Sequence, residues 1–160
     1  MKSFQAITSI SLSVLLSLSL CQSSFAQAKK EVSTPQVILR GRVACLDESG
    51  HRLNAEQDSN QASRNYELLT SEGKRYKFSA DDLLVPIFTE SRVRKMELQI
   101  TALLHENDLL ELIKVLAITD GKLYDIYYFC DLCNITAYGP GPCSCCFQPL
   151  VFIEKPAPGK

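Results

Sequence analysis

Between residues 37 and 45 the chain alternates. Val37, Leu39, Gly41, Val43 and Cys45 fall on one face, and Ile38, Arg40, Arg42 and Ala44 on the other. A period of two with one apolar face predicts a β-strand. Residues 46–64 are almost wholly polar and predict a long exposed loop. Residues 66–70 and 74–78 flank Ser71-Glu72-Gly73, whose glycine supplies the positive φ of a short hairpin turn. Ser79 is placed to cap a short helix through Asp81, Asp82 and Leu84, which Pro86 limits. Met96, Leu98, Ile100, Ala102 and Leu104 alternate with polar neighbours and give the cleanest strand. After a turn at His105–Asp108, residues 109–119 form a strand apolar on both faces. Asp120-Gly121 signals a hairpin, and residues 123–129 carry a further strand into Cys130. A short strand at 135–138, a Gly139-Pro140-Gly141-Pro142 turn and a strand at 150–153 follow.

The amino terminus follows a different pattern. Lys2 precedes an uncharged apolar run at residues 7–20, and Ala26-Gln27-Ala28 then stands before Lys29-Lys30. That is the layout of a cleaved signal peptide spanning 1–28, and the run is too short for a comfortable membrane span. A lipid-modified Cys21 is the weaker alternative, because Leu20 occupies the place where such signals carry a small residue. Residues 29–36 read as a polar leader and 155–160 as a disordered tail. The formal net charge is −1 and falls by one more unit if Lys2 is removed. Such a chain has no general attraction for nucleic acid or anionic membranes.

Five of the seven cysteines lie between Cys130 and Cys146. Cys130/Cys133 and Cys143/Cys146 each have the C-x-x-C spacing with which one tight turn presents two thiolates to a metal. Four thiolates suit a tetrahedral zinc ion, and a segment this short needs an ion or a covalent bridge to hold it. Cys145 is an extra thiol inside the second pair. It and Cys45, at the end of the first strand, are either free or bridged to each other. An even cysteine count in an exported chain also fits three disulfides, and spacing alone does not choose between metal and disulfides. A thiol-redox role for Cys130/Cys133 lacks the helix N-terminus that usually activates such a pair. Bare thiolates at Cys143, Cys145 and Cys146 also fit Cu(I), and rubredoxin-type iron has the same ligand logic.

The order strand, hairpin, short helix, strand, strand over 37–119, with Gly41 in the first strand and the YELLTSEGKRYKF hairpin, resembles an OB-fold. The chain looks like the small exported bacterial OB-like domains. The segment after residue 121 resembles a zinc ribbon, although Asn134 and Phe147 stand where ribbon knuckles often carry glycine. The expected architecture is therefore mainly β: an OB-like Greek-key barrel at 37–121 with one short helix, then a β-hairpin cysteine-knuckle module at 122–154. The resemblance implies no catalytic residue, and no nucleotide-binding or hydrolase motif occurs, so a non-enzymatic role is expected.

His51 and His105 lie in a loop and a turn, where solvated side chains are the rule. Asp81 and Asp82 read as first-turn helix acids. Arg40, Arg42, Lys74, Arg75, Lys77, Arg92, Arg94 and Lys95 fall on or beside successive strands and offer a face for an envelope glycan or a protein partner. Tyr66, Tyr76 and Phe78 point inward. The function expected is an exported, periplasmic or secreted, binding or assembly module with structural zinc or disulfides. The alternative is a cysteine-based redox or soft-metal carrier.

Overall fold

The computed structural model describes residues 34–158 apart from 48, 54–64 and 80. The expected signal segment, most of the leader and much of the polar stretch after the first strand lie outside the described residues.

Among the described residues, β1 (Gln36–Leu46), β2 (Asn65–Thr70), β3 (Arg75–Phe78), β4 (Glu97–Leu104) and β5 (Leu109–Thr119) form the barrel. The first half of β1 pairs with β4, from Gln36↔Leu103 to Gly41↔Leu98. Its second half pairs with β2, from Gly41↔Thr70 to Leu46↔Asn65. Gly41 belongs to both ladders, and a Cβ there would lie 2.2 Å from the Leu69 carbonyl oxygen. Glycine is thus required where β1 passes from one partner to the other. β2 and β3 form the hairpin predicted around Gly73, which has φ 80°. β4 and β5 pair antiparallel, with a register shift at Thr101/Ala102 that leaves Ile113 as the extra residue of β5. β5 then pairs parallel with β3 through Lys77↔Leu109 and Phe78↔Leu110. The cycle β1-β2-β3-β5-β4 closes, giving a five-stranded barrel in the mainly β fold that the pattern predicts.

The inward positions of these strands fill the barrel. Leu68, Leu98, Ile100 and Leu110 are fully buried, and Tyr66 and Tyr76 are buried as expected. One end is plugged by the segment between β3 and β4, and here the helix expectation is corrected. None of the described residues of 79–84 is helical. A 3-10 turn spans Val85–Thr89 and a single α-helical turn, α1, spans Ser91–Lys95. Pro86 opens the 3-10 turn rather than closing an earlier helix, because its fixed φ and missing N–H suit a first turn. The cap of α1 is Glu90, whose carboxylate accepts from the Arg92 amide. Phe88, fully buried, stacks against Phe78 at 4.9 Å and meets Tyr66 edge-on at 5.9 Å between centroids.

β6 (Lys122–Cys130) continues the sheet. Its first residues pair with β5, from Thr119↔Lys122 to Leu116↔Asp125, and its last three pair with β7 (Ile135–Ala137) on the same edge. Its other edge takes β8 (Val151–Pro156), from Tyr124↔Pro156 to Phe129↔Val151. Lys155 and Pro156, expected to open a disordered tail, complete β8, and the Ala157 amide donates to the Leu123 carbonyl at 2.9 Å. The cysteine hairpins also rest on the barrel plug. Tyr128 of β6 donates its hydroxyl proton to Glu90 at 2.8 Å. The Arg92 guanidinium lies 4.5 Å from the centre of the Phe152 ring, and a Cβ on Gly139 would come within 2.9 Å of the Pro86 Cβ.

Candidate metal centre

Each C-x-x-C pair forms the tip of a two-stranded hairpin, and the two tips have the same local geometry. In the first, β6 and β7 bring Cys130 opposite Ile135, and the Asn134 amide donates to the Cys130 carbonyl at 2.8 Å. In the second, Pro142 pairs with Pro149, the Cys143 amide donates to Gln148, and the Phe147 amide donates to the Cys143 carbonyl at 2.9 Å. The turn closes only if the residue after the second cysteine is left-handed. Asn134 has φ 55° and Phe147 φ 59°. These are the two positions where the sequence departs from the usual glycine. Asparagine tolerates that region, whereas phenylalanine is strained there.

The two tips face one another. The sulfurs of Cys130, Cys133, Cys143 and Cys146 all lie within 4.8 Å of each other, and Cys130 and Cys146 are 3.5 Å apart. A tetrahedron with metal–sulfur bonds of about 2.3 Å has edges of about 3.8 Å, inside that range. Cys130 and Cys143 are buried, while Cys133 and Cys146 are half-buried. The four cysteines can therefore hold a metal ion, with a donor set that fits zinc or a softer ion.

The turn amides act on the sulfurs. The Cys146 and Cys145 N–H groups point at the Cys143 sulfur and lower its pKa to about 7, because such bonds favour the thiolate. The Cys133 thiol is pushed well above its ordinary value, first by the neighbouring Cys145 thiol and then by Cys146 and burial. At Cys130 the Cys133 amide pulls downward, but burial and the Cys146 and Cys143 sulfurs outweigh it and the thiol is raised. Crowded thiols resist sharing negative charge unless a cation neutralises it.

The remaining sequence candidates separate from this centre. Of the two states expected for Cys45 and Cys145, free or bridged to each other, the structure has the unbridged one. Cys45 is buried in the barrel core, with its sulfur directed at the Leu46 carbonyl, and Cys145 is exposed. None of the described cysteines is in a disulfide. The reason lies in the strand pattern. The inward phase that places Val43 in the core also turns Cys45 there. His51 is held in its own loop by Asp47, and His105 pairs with Glu111 at 2.9 Å, so neither belongs to the sulfur group. Asp82 is structural, accepting from the Leu84 amide at 2.8 Å and from the Leu112 amide.

Much of the cationic face is engaged within the chain. Arg40 binds Gln99, Lys74 meets Asp108 at 3.0 Å, and Arg75 lies 3.8 Å from Glu67. Arg94 donates to the carbonyls of Phe88 and Thr89. The sequence reading missed the group formed by Glu90, Arg92 and Tyr128, which ties the cysteine hairpins to the barrel. Hydrogen bonds from Arg92, opposed by burial and aided by the Tyr128 hydroxyl, hold the Glu90 carboxyl down at about 2. No spacing rule could have found this group, since Tyr128 of β6 is far in sequence from Glu90 and Arg92 of the α1 turn. No known protein family matches the sequence, and neither the curated proteins nor the solved structures hold a significant match to it.

Proposed function

We propose that the chain is an exported, non-enzymatic binding or assembly module of the cell envelope, in which Cys130, Cys133, Cys143 and Cys146 hold a structural zinc ion. The observation that carries this reading is the convergence of four sulfurs from two matched knuckles within 4.8 Å. Zinc there would supply a cross-link between hairpins that bury little apolar surface of their own. Export is supported by Lys2, the apolar run at 7–20 and Ala26-Gln27-Ala28. Arg42, Lys77 and Lys95 on or beside the barrel strands offer cations to an envelope glycan or a protein partner.

Elemental analysis of protein isolated from its native compartment, with a thiol count after denaturation, tests the reading. About one zinc per chain with at least four free thiols supports it, as the ligand set requires. Protein with neither metal nor free thiols overturns it in favour of a disulfide knot. N-terminal sequencing of the same sample tests export, with Lys29 as the expected first residue.

A second reading, a soft-metal carrier or redox protein, is favoured by one feature, the exposed Cys145 beside the centre. Fast native-state reaction of the four knuckle cysteines with a thiol reagent would favour it. Protection of all four would favour the structural role.

A further inference from the structure

One edge of β6 carries two ladders with a gap between them. β5 pairs with it as far as Asp125 and β7 begins at Tyr128, so Ile126 and Tyr127 have no ladder partner on that edge. The Cys130 carbonyl faces β7, where it accepts from the Asn134 amide, and the Leu123 carbonyl faces β8, where it accepts from Ala157. Alternation along the strand therefore turns the N–H and C=O of Ile126 into the gap. β5 carries its extra residue, Ile113, beside this gap. The result is a cleft of about 580 Å3 where the barrel meets the cysteine hairpins, a size that suits a small organic ligand.

Buried Val115 and Ile126 give the cleft an apolar floor, and Tyr127 and Tyr138 line it with aromatic rings. The hydroxyls of both tyrosines and of Thr136, which also lines it, make no hydrogen bond among the described residues. Three charges reach the cleft. Asp125 stands opposite Lys155 in the β6–β8 ladder, but its carboxylate lies 3.0 Å from the Lys114 ammonium. Lys155 has no ion-pair partner among the described residues. Two lysines against one aspartate leave the cleft positive in a chain whose formal net charge is −1.

We propose that this cleft binds an acidic saccharide. A sugar ring has an apolar C–H face for the tyrosine rings and a rim of hydroxyls for Thr136, the tyrosine hydroxyls and the Ile126 backbone. A carboxylate on the ring meets the Lys155 ammonium in a charge-assisted hydrogen bond. A purely apolar ligand would leave these polar groups unpaired, and a neutral sugar would leave Lys155 unused. The proposal rests on the reading of the chain as a binding module, names its ligand class and does not depend on the metal.

Calorimetric titration of the full chain with oligogalacturonate, and with its neutral oligogalactose counterpart, tests this. The acidic oligosaccharide is expected to bind about tenfold more tightly than the neutral one. Lys155→Gln and Tyr138→Ala are each expected to weaken its binding about tenfold, and both side chains are exposed, so the core is untouched. Lys122→Gln, a charge change outside the cleft, should leave binding as it is. Loss of binding in Lys77→Ala but not in Lys155→Gln would overturn the cleft while the binding-module reading stands. Equal binding of the neutral oligosaccharide would overturn the acidic class. If neither binds, the proposal falls, and the zinc and export measurements above decide the earlier reading on their own.

Amide chemical shifts of the wild-type chain provide a test that needs no variant. Oligogalacturonate should move the amides of Ile126, Tyr127, Thr136 and Tyr138. Shifts confined to β1, β2 and β3 would place the ligand on the barrel strands and overturn the proposal.

Discussion

Two residues carry the sharpest backbone demands, and they point in opposite directions. At Phe147 the turn requires a left-handed conformation that a bulky side chain resists, and the ring is 75% exposed, so its packing returns little. Phe147→Gly should therefore stabilise the second knuckle by about 0.5–1 kcal/mol, the strain relieved less the entropy that glycine adds to the unfolded chain. Urea denaturation of the zinc-bound protein measures it, and a loss of stability would contradict the strain argument. Asn134→Gly should be nearly neutral, because asparagine already accepts that region. At Gly41 the demand is for space. Gly41→Ala would drive a Cβ into the Leu69 carbonyl and should cost about 3 kcal/mol, read as a lower urea midpoint. Both positions were legible as positions: Gly41 from the resemblance to an OB strand, Phe147 from its place after a C-x-x-C pair. That Phe147 adopts the glycine conformation regardless was not legible. It follows from the hydrogen bond between its amide and Cys143, which only the closed turn reveals.

Among the elements, the strands were readable and the helical plug was not. A period of two survives in β1 and β4 because one face meets the core, while turn signals bound the apolar runs of β5 and β6, so the pattern located all four closely. The plug is a few short turns, and no periodicity develops over so few residues. Its conformation is set instead by Pro86, by Asp82 reaching the Leu112 amide of β5, and by Glu90. Glu90 links three partners, the Arg92 amide, the Arg92 guanidinium and the Tyr128 hydroxyl, and is only 19% exposed. Its folded pKa of about 2 lies below the ordinary value of 4.5. A depressed carboxylate contributes stability that is fully present above the unfolded pKa and is lost as pH falls through the folded one. Stability should therefore decline between about pH 4.5 and pH 2. Glu90→Gln should lower stability at pH 7 by about 2 kcal/mol and flatten the profile in that window. Urea midpoints across the acid range measure both, and an unchanged profile would remove Glu90 as the link.

For the molecule as a whole, the order of strands was legible in the pattern, but their closure was implied only by the resemblance to an OB-fold. The β3–β5 pairing joins residues far apart in sequence through only two parallel positions, and no local pattern encodes it. The same holds for the cysteines: spacing located the two knuckles, but only the fold of β6 against β7 and β8 brings their tips together. β6 is the strand common to both parts, pairing with β5 at its start and ending in Cys130. The barrel has a closed hydrogen-bonded cycle and a core of fully buried side chains. The knuckles expose Leu132 and Phe147 and contribute little beyond their sulfurs and the contacts at Tyr128 and Phe152. Their order therefore depends on cross-linking far more than the barrel does. If the four cysteines hold zinc as proposed, its removal with a chelator under reducing conditions should abolish amide protection in β7, both knuckles and the adjoining ends of β6 and β8. The amides of β1 to β5 should keep theirs. Hydrogen exchange read residue by residue separates the outcomes. Loss of protection throughout would mean that β6 transmits the loss of the metal into the barrel, and that the two parts unfold as one cooperative unit.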